Sequence, residues 1–172
     1  ACPIRRQAVP SIEETRILPY EMADPLNEEG SSPVKNIVHR YPDRVLFLVT
    51  RMCSMYCRHC TRRRMVGEED DAISDAEIDD AVEYIDKNRQ IRDVLISGGD
   101  PLTMGDERLE KIISKVRSID HVEVIRIGTR IPVVLPMRIT PQLLSMLKKY
   151  QPIWINTHFN HPKELTPEAV KA

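Results

Sequence analysis

Three of the chain's four cysteines lie close together in the stretch Arg51 to Cys60. They are Cys53, Cys57 and Cys60, spaced C-x3-C-x2-C. Two thiolates hold a cluster poorly, and four would close it. Three can bind a four-iron cluster through three irons and leave the fourth open to an outside ligand, whereas iron–sulfur clusters normally take four thiolates. The alternatives fit less well. A disulfide framework would leave one thiol over. Structural zinc wants a second Cys or His pair further along. The remaining cysteine is Cys2, near the terminus, and His59 is too near Cys60 in sequence to share one tetrahedron easily.

The run Arg44-Val45-Leu46-Phe47-Leu48-Val49-Thr50 ends directly before the cysteine loop. Its length and β-formers predict a strand buried on both faces. Ser74-Asp75-Ala76-Glu77 has the form of a capping box, and Ile78, Ala81, Val82 and Ile85 follow at helical spacing to about Asn88. A second buried strand is predicted at Asp93–Ser97, and further strands at Val122–Arg130 and Ile153–Phe159. Helices are predicted through Leu109–Val116, after Thr140-Pro141 and after Thr166-Pro167, the last two with a cap and an N1 proline. Strand and helix alternate, which means a parallel sheet with helices outside. The expected fold is α/β, a partial parallel (β/α) TIM-like barrel. Residues 45–172 would supply its first four βα units, as the front part of a longer chain. Residues 1–44 carry six of the 13 prolines and read as an extended N-terminal arm that wraps the barrel. Within it, 24–32 is polar and reads as an exposed loop.

The features suited to chemistry collect at the C-terminal ends of the predicted strands. The cysteines follow the first strand, Gly98, Gly99 and Asp100 the second, Thr129 and Arg130 the third, and Asn156, His158 and Asn160 the fourth. Parallel α/β folds bind ligands along that edge. The glycine pair lets backbone approach a ligand. Its bland reading is a turn before a helix, and His158 alone reads more simply as a core histidine. Arg58, Arg62, Arg63 and Arg64 form a basic patch beside the cysteines. Arginine forks suit carboxylates and phosphates, and some of these four are expected to pair with the acidic run Glu68–Asp71. A nucleic-acid contact is disfavoured by a net charge of −1 and by one Trp and two Phe in 172 residues. No run approaches a membrane span and no apolar signal core opens the chain, so the expected compartment is the cytoplasm.

The cysteine spacing is the signature of radical S-adenosylmethionine enzymes. The flanking strings resemble the lysine 2,3-aminomutases. They are Cys53 to Arg64, His39-Arg40-Tyr41-Pro42-Asp43-Arg44, Ser97 to Pro101, Thr129-Arg130 with Pro132 to Pro136, and Asn156 to Pro162. The resemblance runs from Cys2 over nearly the whole chain. It implies an isomerase that moves the α-amino group of L-lysine to C3, giving L-β-lysine. It implies three cofactors: a [4Fe–4S] cluster, S-adenosylmethionine and pyridoxal 5′-phosphate. Carried over, Cys53, Cys57 and Cys60 would bind the cluster. Gly98, Gly99 and Asp100 would lie at the methionyl amine of S-adenosylmethionine. His59 would border the adenine, and His158 would be a further contact. Thr129 and Arg130 would lie near the ribose and carboxylate. Arg62 would pair with the substrate carboxylate, and Arg40 and Arg44 would face the pyridoxal phosphate region. The implied partners are a small amino-acid substrate and an electron donor such as flavodoxin or ferredoxin, in a homo-oligomer, with no nucleic acid or membrane. Met137 departs from the glutamine common in relatives. The lysine that anchors pyridoxal phosphate lies later in the family's chain, after the position of Ala172, so no catalytic residue is assigned within this sequence. Two related enzyme readings stay open: a glutamate 2,3-aminomutase, and the paralogue that supplies β-lysine to a translation factor. A zinc-bearing nucleic-acid module is the non-enzyme alternative.

Overall fold

A computed structural model describes residues 2–67 and 72–172. Five strands, β1 (Ile37–Tyr41), β2 (Arg44–Thr50), β3 (Asp93–Gly98), β4 (Val124–Thr129) and β5 (Ile153–Thr157), form one open sheet in sequence order. The helices are α1 (Arg5–Ala8), α2 (Asp75–Lys87), α3 (Asp106–Arg117), α4 (Ile131–Val134), α5 (Pro141–Lys148) and α6 (Pro167–Lys171). Strands β2 to β5 are all parallel. Adding each new strand beside the last is the winding of a (β/α) barrel, not of a doubly wound sheet, where the order reverses.

The first strand was not foreseen. It lies within the segment read as an arm and pairs antiparallel with β2, Ile37 opposite Phe47 and Tyr41 opposite Arg44. Pro42 and Asp43 make the turn, where proline leaves no ladder hydrogen bond unmade. Ile37 and Val38 are buried, so this edge strand is anchored by side chains as well as by backbone.

The core lies between the sheet and its helices. Val45, Phe47 and Val49 of β2, Val94 and Ile96 of β3, and Ile125 and Ile127 of β4 share one buried cluster with Ile78, Ala81 and Ile85 of α2. Leu109, Ile112, Ile113 and Val116 of α3 and Leu143, Met146 and Leu147 of α5 complete it. With so few aromatics, this core is built mostly from aliphatic side chains. Only β2 is closely buried on both faces, as predicted for it. In β3 and β4 burial alternates, because Leu95 and Arg126 face a cavity on the side away from the helices.

Helix α2 starts where its capping box predicted. Ser74 Oγ accepts from Glu77 N at 3.3 Å, and Glu77 Oε2 accepts from Ser74 N at 2.7 Å. The Lys35 ammonium at 2.6 Å and then the Ser74 N–H hold the Glu77 carboxyl at about 2, below its ordinary 4.5. A carboxyl depressed in the folded state adds stability above its unfolded value and loses it as pH falls through the folded one. Glu77 therefore contributes fully above about pH 4.5 and loses its contribution towards pH 2. Glu77→Gln is expected to flatten the acid limb of the stability curve in that window. Urea unfolding at stepped pH checks this, and parallel limbs for both proteins would contradict it.

Candidate functional site: a cysteine-lined cavity at the strand ends

Backbone hydrogen bonds tie the cysteine loop to the end of β3. Gly99 N donates to Thr50 O at 2.6 Å, and Asp100 N donates to Met52 O at 2.7 Å. Gly98 has φ +125°, and a Cβ there would stand 2.4 Å from Thr50 O. A Cβ on Gly99 would stand 2.2 Å from Met52 O. Both contacts are far inside van der Waals distance and involve backbone that cannot swing aside. The close approach expected of the glycine pair is thus made, in the first place, to the cysteine loop of the chain itself.

Asp100 carries the linkage on to β4. It is buried, and its carboxylate accepts from Thr129 Oγ1 at 2.6 Å, Arg130 N at 2.7 Å and Leu102 N at 3.1 Å. Burial pushes its carboxyl up, against the pull of those donors. Asp100 therefore joins the exits of β3 and β4, a role that sequence reasoning did not assign.

Arg130 ties the remaining pieces together. Its Nη1 donates to Cys57 Sγ at 3.0 Å. Its Nη2 donates to Glu164 Oε1 at 2.7 Å and to Gln7 Oε1 at 3.1 Å, and its Nε to His158 O at 3.2 Å. Glu164 is buried beneath it. Burial opposes its ionisation, but the N–H groups of Asn160 and His161, with Gln7 and the Arg130 charge, hold it below the usual range. The His59 and His158 rings meet edge to face, 6.1 Å between centroids. Partial burial, the Arg130 charge and His158 all lower the His59 pKa.

All this surrounds one cavity of about 680 Å³. Cys53, Cys57 and Cys60 line it, and so do His59, Arg62, Gly98, Gly99, Asp100, Thr129, Arg130 and His158. Arg40 and Arg44 lie elsewhere, on a second cavity of about 400 Å³ with Arg126 and Leu95. Arg62 lines both. Its Nε and Nη2 grip the Glu28 carboxylate at 2.6–3.0 Å. Glu28 is buried, although 24–32 reads as exposed loop. Two more arginines of the basic patch are also met by the arm. Arg58 pairs with Glu14, and Arg64 with Asp24 and Glu29. The run Glu68–Asp71, expected to meet these arginines, lies outside the described residues. The signal that could have shown the pairing was the acidic Glu28-Glu29 pair opposite three consecutive arginines.

Among the described residues no disulfide links the cysteines, and no three His, Cys, Asp or Glu side chains are gathered for a single metal ion. A cubane asks for a different arrangement, with one sulfur per iron around a face. Three cysteines lining one cavity fit that requirement.

The radical SAM superfamily profile matches residues 47–172. The chain belongs to the radical SAM superfamily. Membership carries with it a [4Fe–4S] cluster and S-adenosylmethionine. The chain is 63% identical over 171 residues to the L-lysine 2,3-aminomutase of Fusobacterium nucleatum, covering 99% of this chain and 40% of that protein. It is 58% identical over 170 residues to that of Clostridium subterminale, covering 99% of this chain and 41% of that protein. It is also 51% identical over 152 residues to the glutamate 2,3-aminomutase of Clostridioides difficile, covering 88% of this chain and 36% of that protein. The chain thus spans about two fifths of the length of the first two of these relatives. No helix among the described residues is long and apolar enough to cross a membrane.

Gly99→Ala is expected to destabilise the fold by at least the ~1–3 kcal/mol typical of overpacking, and to lower iron retention, because Met52 O cannot move without the cysteine loop. Thermal unfolding and iron content check this; wild-type values in both would contradict it.

Proposed function

We propose that this chain belongs to a 2,3-aminomutase that converts L-lysine to L-β-lysine. The observation that carries the reading is Arg62, which lines both the cysteine cavity and the cavity of Arg40 and Arg44. A reaction that needs a radical source and a second cofactor on one substrate requires such a junction. When bound, the cluster with S-adenosylmethionine supplies a 5′-deoxyadenosyl radical for hydrogen abstraction, and pyridoxal phosphate supplies a π-system over which nitrogen migrates.

The chain's own residues hold and orient these groups. Cys53, Cys57 and Cys60 ligate three irons. Gly98, Gly99 and Asp100 receive the methionyl amine, with Thr129 and Arg130 beside them. His59 and His158 border the nucleoside. Arg40 and Arg44 face the phosphate of pyridoxal phosphate. Arg44 is oriented by Asp43 at 3.0 Å and lies 5.6 Å over the Tyr41 ring, and Arg40 donates to Leu26 O at 2.9 Å. Arg62 meets the substrate carboxylate. Its Nε and Nη2 are engaged by Glu28, which leaves Nη1 for that contact. The lysine that anchors pyridoxal phosphate belongs to sequence after Ala172. A flavodoxin or ferredoxin supplies the electron to a homo-oligomer in the cytoplasm.

The full-length protein, reconstituted anaerobically with iron and sulfide, is expected to be brown and to form β-lysine from L-lysine. A colourless protein holding one zinc, or one that turns over glutamate alone, would overturn the proposal. Arg62→Ala in that protein is expected to raise the KM for lysine roughly ten- to a hundredfold, from the ~1.5–3 kcal/mol of a hydrogen bond to a charged group. The cluster spectrum should be unchanged. An unaltered KM would remove the carboxylate role.

A further inference from the structure

Four partners hold the Arg130 guanidinium, and one of them is a sulfur of the cysteine trio. Nη1 donates to Cys57 Sγ at 3.0 Å. Glu164, Gln7 and the His158 carbonyl hold the other nitrogens. The side chain is 13% exposed and that of Glu164 is 5% exposed. The backbone is held as well, with Arg130 N bonded to Asp100 Oδ2 at 2.7 Å. The group therefore cannot turn to solvent without breaking bonds to the arm, to the β5 exit and to the cysteine loop. A cationic N–H aimed at a cluster sulfur acts on redox poise, because cluster potentials follow net charge and hydrogen bonds to the sulfurs. Reduction adds one negative charge to the cluster. A positive donor fixed in a shielded site favours that state, more strongly than it would in water.

We propose that Arg130 is a tuning residue for the iron–sulfur cluster: through its N–H bond to Cys57 Sγ it raises the cluster's reduction potential. Glu164 sets the limit of the effect. Its buried carboxylate lies 2.7 Å from the same guanidinium and offsets part of the positive charge. Removing the cation should then lower the potential, and removing the anion should raise it. A purely structural hub would not produce shifts of opposite sign, since loosening the site acts in one direction for both.

The inference rests on the cysteines being cluster ligands. The experiment is a redox titration of the reconstituted full-length protein without S-adenosylmethionine, read by the electron paramagnetic resonance of the reduced cluster, with iron content as control. Arg130→Gln is expected to cut the reduced-to-oxidised ratio at fixed potential about tenfold, a midpoint shift of about −59 mV for a one-electron couple. Glu164→Gln is expected to shift the midpoint the other way. Iron-loaded variants that both keep the wild-type midpoint, or that both shift in one direction, would overturn the tuning role. If Arg130→Gln retains no iron, Glu164→Gln decides alone: a rise supports the proposal, and an unchanged or lower midpoint overturns it. A wild-type protein that binds no iron would instead defeat the cluster reading.

Discussion

Two backbone hydrogen bonds, from Gly99 to Thr50 and from Asp100 to Met52, join the ends of two neighbouring strands. They set where the cysteine loop leaves the sheet. Parallel pairing of β2 with β3 brings Thr50 opposite Gly98. Only residues without a side chain let the two exits close to that distance. Asp100 then passes the constraint to β4 through Thr129 and Arg130, and Arg130 returns it to Cys57. The loop is thus held at its start by β3 and near its middle from β4. Without these ties, a loop rich in Cys, Arg and His would have no fixed geometry to offer an iron cluster.

The arm closes the site from the other side. Arg58 in the cysteine loop donates its backbone N–H to Gln7 O at 2.8 Å and its Nη1 to Arg6 O at 2.7 Å. Gln7 Oε1 accepts from both Arg130 and Asn160. Further along, Asp24, Glu28 and Glu29 meet Arg62 and Arg64. The basic patch is therefore largely neutralised from within. Its charges orient one another rather than forming a field for a polyanion, in keeping with the overall balance of 25 basic and 26 acidic residues.

Local signals in the sequence were enough for most of the fold. The capping box at Ser74, the proline at Pro141 after Thr140 and the aliphatic run of β2 each act over a few residues, so they survive transfer to any context. The grouping of His59, Gly98, Thr129, Arg130 and His158 with the cysteines was also legible, because parallel strands place their C-terminal ends on one edge. The missed features all depend on a partner elsewhere in the chain. Strand β1 depends on pairing with β2, and a five-residue edge strand carries little signal alone. The burial of Glu28 depends on Arg62, 34 positions away. The bond from Arg130 to Cys57 spans 73 positions. No periodicity encodes such pairs; only the folded sheet brings them together.

In the proposed arrangement three thiolates hold a cluster with one iron facing the cavity that the cysteines line. The most direct measurement is the electron paramagnetic resonance of the reduced full-length protein before and after adding S-adenosylmethionine labelled with nitrogen-15 at its amine. A changed signal and a hyperfine coupling to the labelled nitrogen are expected. A cluster signal that ignores the ligand, with no coupling, would contradict it.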